Sequence, residues 1–412
     1  MGLSNRRRVW VAGAVALVGG LFTGFWDEIS PPARGVLAAV FLASVVLVIM
    51  KVRRTAPAAD RRLEILEAVV ADETRRPWSP STLPWAHVTS SEKVVLLVPA
   101  ADYHLAEVVP MSTEMSRRGI PNRIAVGESP WERTWRGLNW YDIDVFELPE
   151  PGSVVGEVSV ALVMKDTGSL APFVSGCREF GIPTAGKVEG AQDFWDSDTP
   201  DVRRPYRNLD LVLCQGEFDA ESLADRETVV VGSSRLERMW WSPPVTTTEP
   251  MAVINLNFVY GVRTADRRLW LESAIEGCEL AGIPYLISMH PAERAILASD
   301  RATTISASRL LTRASVLISR FSTVPFEAIA RGVPFVYHNP HGETVKTFAD
   351  PMGAFDITKD ASSLSNAIGS GLPQGADLRR ASEKFFGSHV DIDVAKPSAQ
   401  RSSDALLSLI ST

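Results

Sequence analysis

Cysteine is scarce. The 412 residues hold three, Cys177, Cys214 and Cys278, too far apart to suggest a zinc-ligand pair or a disulfide framework, and the pattern suits a reducing compartment. Neither charge sign dominates. The 42 Lys+Arg against 49 Asp+Glu give a formal net charge of −7, which leaves no electrostatic footprint for nucleic acid. A metal cluster is also missing. His338, His341 and Glu343 spell a compact H-x-x-H-x-E, but on an expected loop rather than one helix face and with no cysteine beside them, so neither a metal nor a cofactor is expected.

What is present starts with two uncharged apolar runs of about 16–17 residues, Val9–Phe25 and Gly35–Met50, near the lower limit for a membrane-spanning helix. Arg6, Arg7 and Arg8 precede the first, and Lys51, Arg53, Arg54, Arg61 and Arg62 follow the second, with only Arg34 between them. That asymmetry predicts a two-helix transmembrane hairpin in the inner membrane, with both ends cytoplasmic. The expected organisation is a hairpin over 1–54, a Pro/Ala/charge-rich linker over 55–91, and two doubly wound Rossmann-like α/β domains over 92–240 and 251–395.

The two domains are read from rhythm. Near-continuous β-branched runs (Val94–Val98, Val158–Met164, Leu209–Cys214, Ala252–Phe258, Ser315–Ser319) alternate with helical stretches such as Leu105–Arg118 and Arg267–Ala281, the pattern of parallel sheet covered on both faces. "MWWSPPVTTTEP" (Met239–Pro250) interrupts the alternation as a connection between domains. Four joints, R-G-I-P, F-G-I-P, A-G-I-P and R-G-V-P, each put glycine at a helix end before a strand.

In open parallel sheets, ligands bind beyond the carboxyl ends of strands. In the second half those ends carry Tyr260, Gly261 and Arg263 in "NLNFVYGVR", His290 in "SMHP", and Arg320, Ser322 and Thr323 in "SRFSTVPFE". His338, Asn339, His341 and Glu343 follow the next strand as possible loop contacts. Ser322 or Thr323 followed by Pro325 opens a helix, whose first amides lack helical partners and suit a phosphate. Glu327 lies one turn on. The first loop of this half lacks the full G-x-G-x-x-G, which disfavours a dinucleotide site. In the first half, Asp102 and His104 follow the opening strand. A histidine there suits the general base of a transfer reaction, with Asp102 the second candidate. Lys187 and Glu189 could line the same cleft.

The order H-P, then strand–F-S-T-V-P-F-E-A–helix, then R-G-V-P-F-V-Y resembles the donor half of two-domain GT-B-type transferases. It is most similar to the CDP-glycerol glycerophosphotransferase group and related bacterial polysaccharide glycosyltransferases. The resemblance covers roughly Ile283–Glu343, and Arg320 and Phe321 stand where that group has Asp and Tyr. It implies donor contacts at His290, Ser322, Thr323 and Glu327. The expected function is transfer of a glycosyl or glycerol-phosphate unit from a nucleotide-activated donor to a lipid-linked or cell-envelope polymer acceptor at the membrane. A nucleotide-sugar 2-epimerase and a non-catalytic scaffold of a polymer-assembly complex stay open as alternatives.

Overall fold

The computed structural model describes residues 83–85, 87, 92–127, 143–192, 205–245, 249–258, 263–290 and 301–411. They build two parallel sheets. The first contains β1 (Val94–Val98), β2 (Asn122–Val126), β3 (Val145–Glu147), β4 (Val158–Val163), β5 (Thr184–Lys187), β6 (Leu211–Cys214) and β7 (Thr228–Val230), in the order β3-β2-β1-β4-β5-β6-β7. The second contains β8 (Ala252–Leu256), β9 (Tyr285–Met289), β10 (Ala302–Thr303), β11 (Val316–Ser319), β12 (Phe335–His338) and β13 (Asp356–Thr358), in the order β10-β9-β8-β11-β12-β13. Each sheet reverses its strand order once, between β1 and β4 and between β8 and β11. Those are the switch points where a doubly wound sheet opens a crevice.

Alternation within a strand explains why helices cover both faces. In the run Val94–Val98, Val94, Leu96 and Val98 enter one apolar cluster with Phe173 and Val174 of α2 (Ala171–Glu179). Val95 and Leu97 enter the opposite one with Leu105, Val108 and Met111 of α1 (Leu105–Arg117). That second cluster also contains Ala405 and Leu406 from α10 (Ser398–Ser411). The last described helix thus returns to the first half, after α8 (Ala361–Gly369) and α9 (Gly375–His389) have completed the second.

The four glycine joints share one geometry. Gly119, Gly181, Gly282 and Gly332 have φ of +71°, +68°, +66° and +69°, a left-handed conformation that glycine adopts without penalty. The amide after each glycine donates back to a helix carbonyl: Ile120 to Met115, Ile182 to Cys177, Ile283 to Cys278, Val333 to Ala328. The proline that follows cannot donate, but its carbonyl accepts from the neighbouring strand. Val95 donates to Pro121, Ala161 to Pro183, Ala252 to Pro284 and Leu317 to Pro334. Each joint therefore ends a helix and sets the register of the next strand together.

The expected transmembrane hairpin is corrected. Among the described residues no helix is long and apolar enough to cross a membrane. The longest, α9, has 15 residues and carries Asp377, Arg379, Arg380, Glu383 and Lys384. At 1.5 Å per residue it spans about 22 Å, short of the roughly 30 Å hydrocarbon core. Val9–Phe25 and Gly35–Met50 lie outside the described residues. The expected membrane anchor, its two spans and the inner-membrane location thus find no support among the described residues.

Candidate functional site

At the second switch point, β11 runs into Arg320–Thr323 and then α7 (Val324–Arg331). Pro325 occupies the first turn, where a missing N–H costs nothing. Thr323 stands at the N-cap, yet its hydroxyl makes no capping hydrogen bond; the Val324 amide donates at 3.4 Å to the Ser322 hydroxyl instead. His290 follows β9, on the far side of β8, and its own amide donates to the Leu256 carbonyl of β8 at 3.2 Å. His290, Ser322 and Thr323 thus follow the ends of two strands, β9 and β11, that flank β8 in the same sheet.

Arg320 and Glu343 turn inward. The Arg320 guanidinium donates to Glu343 through Nε at 2.9 Å and to the Asn257 carbonyl through Nη1 at 2.9 Å, and it lies 4.7 Å from the Phe258 ring centre. Glu343 also accepts from the Tyr337 hydroxyl at 2.6 Å and the Phe321 amide at 3.1 Å. His341 Nε2 approaches it at 3.1 Å, outside hydrogen-bonding alignment. Burial alone would raise the Glu343 carboxyl; His341, Arg320 and Tyr337 instead hold it at about 2. Asn339 closes the loop by exchanging two 2.8 Å bonds with the Glu343 backbone. This knot props the β11 and β12 loops from beneath.

His338 belongs elsewhere. It ends β12, where Phe335 and Tyr337 face Phe348 while Val336 and His338 face the other way. Its ring sits between Thr358, at 2.9 Å, and Ser273 of α5 (Arg267–Leu280), at 3.0 Å. Burial lowers its pKa to about 4. Arg263 pairs locally with Asp266 at 3.6 Å. Tyr260 and Gly261 lie outside the described residues.

In the first half, a short turn (Asp102–His104) leads from β1 into α1. His104 is 1% exposed, and its Nδ1 accepts the Ala100 amide at 3.0 Å. A neutral ring must then carry its proton on Nε2, which faces Glu189 Oε1 at 3.4 Å. Burial lowers the His104 pKa more than Glu189 raises it. Glu189 follows β5. Burial pushes its carboxyl up, but His104, Lys165 and Arg235 bring it down to about 2. Neither His104 Nε2 nor Glu189 Oε2 has a hydrogen-bond partner among the described residues. Lys187, fully buried, donates instead to the Gly232 carbonyl at 2.6 Å.

The two sets of strand ends meet. A Cβ on Gly190 would lie 2.3 Å from the Thr323 side chain, so only glycine permits this approach. The Thr347 hydroxyl donates to the Gln192 carbonyl at 3.2 Å. Arg235, in α4 (Ser234–Trp241), reaches Glu327 of α7 at 3.3 Å. A separate groove of about 300 Å³ beside Ser112, Asn122, Arg123 and Asp144 lies where β2 and β3 begin, away from these ends.

No family model and no curated protein matches the chain. Solved structures do. MnaA of S. aureus in complex with UDP aligns with TM-score 0.55 at 11% identity, over 78% of this chain and 98% of that one. UDP-GlcNAc 2-epimerase from Neisseria meningitidis bound to UDP-GlcNAc gives 0.53 at 12%, over 78% and 100%. The wall teichoic acid polymerase TagF gives 0.53 at 10%, over 78% and 90%. The fold is GT-B-like.

Within that GT-B-like frame, the sequence placed Thr323, Ser322 and His290 at strand ends, whereas Arg235 falls in a loose strand-then-Gly-x-x-Arg stretch and is not among the candidate site residues. Its partners Glu189 and Glu327 lie 46 and 92 positions away, beyond any local spacing rule. The available signal was the apolar run ending at Val231 followed by G-S-S-R.

Proposed function

We propose that the chain is a GT-B-type transferase that takes a nucleotide-activated donor and moves a glycosyl or glycerol-phosphate unit to a hydroxyl of a polymer or lipid-linked acceptor. The observation that carries this reading is the uncapped Thr323 hydroxyl at the start of α7, set against Gly190 from the other half. Helix-start amides, Ser322, Thr323 and His290 suit the diphosphate of such a donor. On the first-half side of the Gly190–Thr323 contact, His104 and Glu189, 3.4 Å apart, are the acid–base candidates. Asp102, in the same turn as His104, is the second candidate base. The solved relatives holding UDP and UDP-GlcNAc support a nucleotide-linked donor class.

A thermal-shift panel of UDP, CDP, GDP and ADP on the full chain tests the reading. At least one nucleotide should stabilise it, and Thr323→Ala should weaken that binding by about 1–3 kcal/mol, the cost of a hydrogen bond to a charged group. A panel with no stabilising nucleotide sinks the proposal and leaves a scaffold role. Full coverage of the N. meningitidis epimerase favours one second reading, 2-epimerisation. Incubation with UDP-GlcNAc and no acceptor, followed by NMR of the sugar, separates the two: inversion at C2 without acceptor assigns the epimerase.

A further inference from the structure

We propose that Arg235 is a positioning residue that latches the two halves together, holding the Glu189–Gly190 loop against the start of α7. The inference rests on contacts within the chain and deepens the transferase reading by naming what holds its cleft closed.

Arg235 belongs to the first half by sequence and by anchorage. Glu107 of α1 accepts from the Ser234 and Arg235 amides at 2.9 and 3.2 Å and from the Ser233 hydroxyl. A buried carboxylate thus occupies the start of α4, where helix amides need an acceptor. From that fixed base the guanidinium divides its donors. Nη2 donates to the Glu189 carbonyl at 3.0 Å, and Nη1 lies 3.3 Å from the Glu327 carboxylate. Nε has no partner among the described residues. Glu327 takes a second bond from the Ser308 hydroxyl of the second half. One side chain therefore joins a first-half loop to a second-half helix, next to the Gly190–Thr323 contact.

The burial makes this a latch rather than decoration. Arg235 is 5% exposed and Glu327 3%, and the ion pair they form crosses between the halves. Removing one partner leaves the other buried with less compensation, an unfavourable arrangement, whereas removing both relieves that imbalance at this pair, with Glu107 and Glu189 still beside the Arg235 position. Separation of the halves returns a lone charge to water. Loss of either partner alone should therefore open the cleft, and loss of both should let it close again. A residue important only for folding would not show that reversal.

The test uses the full chain with nitroxide labels at Ser175→Cys and Glu276→Cys, exposed positions on α2 and α5. The native cysteines are buried; burial pushes the Cys177 thiol up to about 12, which keeps it out of the labelling reaction. Pulsed dipolar spectroscopy should show longer distances in Arg235→Met and in Glu327→Gln, and the parent distance in Arg235→Met/Glu327→Gln. In calorimetry with UDP and CDP, the affinity of Arg235→Met, which leaves every expected donor contact in place, should fall as the distance grows: if that substitution leaves a tenth of molecules closed, affinity falls about tenfold. Single variants that lose thermal stability while keeping the parent distance overturn the latch, as does a double variant as open as the singles. If no nucleotide binds the parent but the distance pattern holds, the latch stands and the transferase reading falls. If nucleotides bind all variants equally and distances do not move, the transferase reading stands and the latch falls.

Discussion

Glu343 shows how a polar residue next to a candidate site can serve structure. Its carboxylate neutralises Arg320 inside the second half, with the side chain 2% exposed. Its carboxyl titrates at about 2 when folded against an ordinary 4.5. A depressed carboxyl contributes stability that is full above the unfolded value and is lost as pH falls toward the folded one. Between pH 5 and 2 the parent should lose on the order of 3 kcal/mol more than Glu343→Gln, measured by urea unfolding at each pH. Equal pH slopes would show that the carboxylate is not held as described. At neutral pH, Glu343→Ala should cost about 3–5 kcal/mol, because it strands a buried guanidinium. The H-x-x-H-x-E spelling could not reveal this division of labour on spacing alone. Strand parity could: His338 lies two residues from Val336 and so shares its buried face, while Tyr337 points toward Glu343.

The glycine joints were legible, and they were better strand markers than hydrophobicity. β1, β4 and β11 stood out as apolar runs. β2 (Asn-Arg-Ile-Ala-Val) and β5 (Thr-Ala-Gly-Lys) did not, because polar and small residues dilute the pattern; yet each directly follows a G-I-P joint. Gly186 is small for a reason visible only in three dimensions, since a Cβ there would strike Leu209 and Tyr206. The joints can be tested singly. At Gly282, φ is +66° and a Cβ would meet nothing within 4 Å, so Gly282→Ala measures backbone strain free of a clash. Chemical unfolding should show a loss of about 1–2 kcal/mol, and Gly282→Asn should lose less, because asparagine tolerates the left-handed region. A neutral alanine would mean that the joint relaxes to negative φ.

Two doubly wound halves were expected from alternation. The return of α10 was not, because no local pattern says which of two similar cores a distant amphipathic helix will join. Its docking is nonetheless specific. Arg401 pairs with Glu237 of α4 at 3.1 Å and with Asp391, and the Ser398 amide donates to Glu237 at 2.9 Å. Burial still lifts the Glu237 carboxyl to about 7. Removing residues 398–412 should expose Val95, Leu97 and Leu162 on the first sheet. Limited proteolysis of that truncated chain should cut first within 92–240 and spare 251–390. Preferential cutting in 251–390 would assign α10 to the second half.

The returning helix also orders events on the ribosome. Residues 251–390 form a contiguous stretch that can fold as soon as it emerges. The earlier stretch, 92–240, must wait for Ala405 and Leu406 before its core is complete. Domains usually fold in the order of synthesis; here the first-made half depends on the last-made helix. At roughly 5–20 residues per second, the interval from residue 240 to residue 406 is about 8–33 s. During that time Val95, Leu97 and Leu162 on the first sheet lack the helix that covers them in the finished fold.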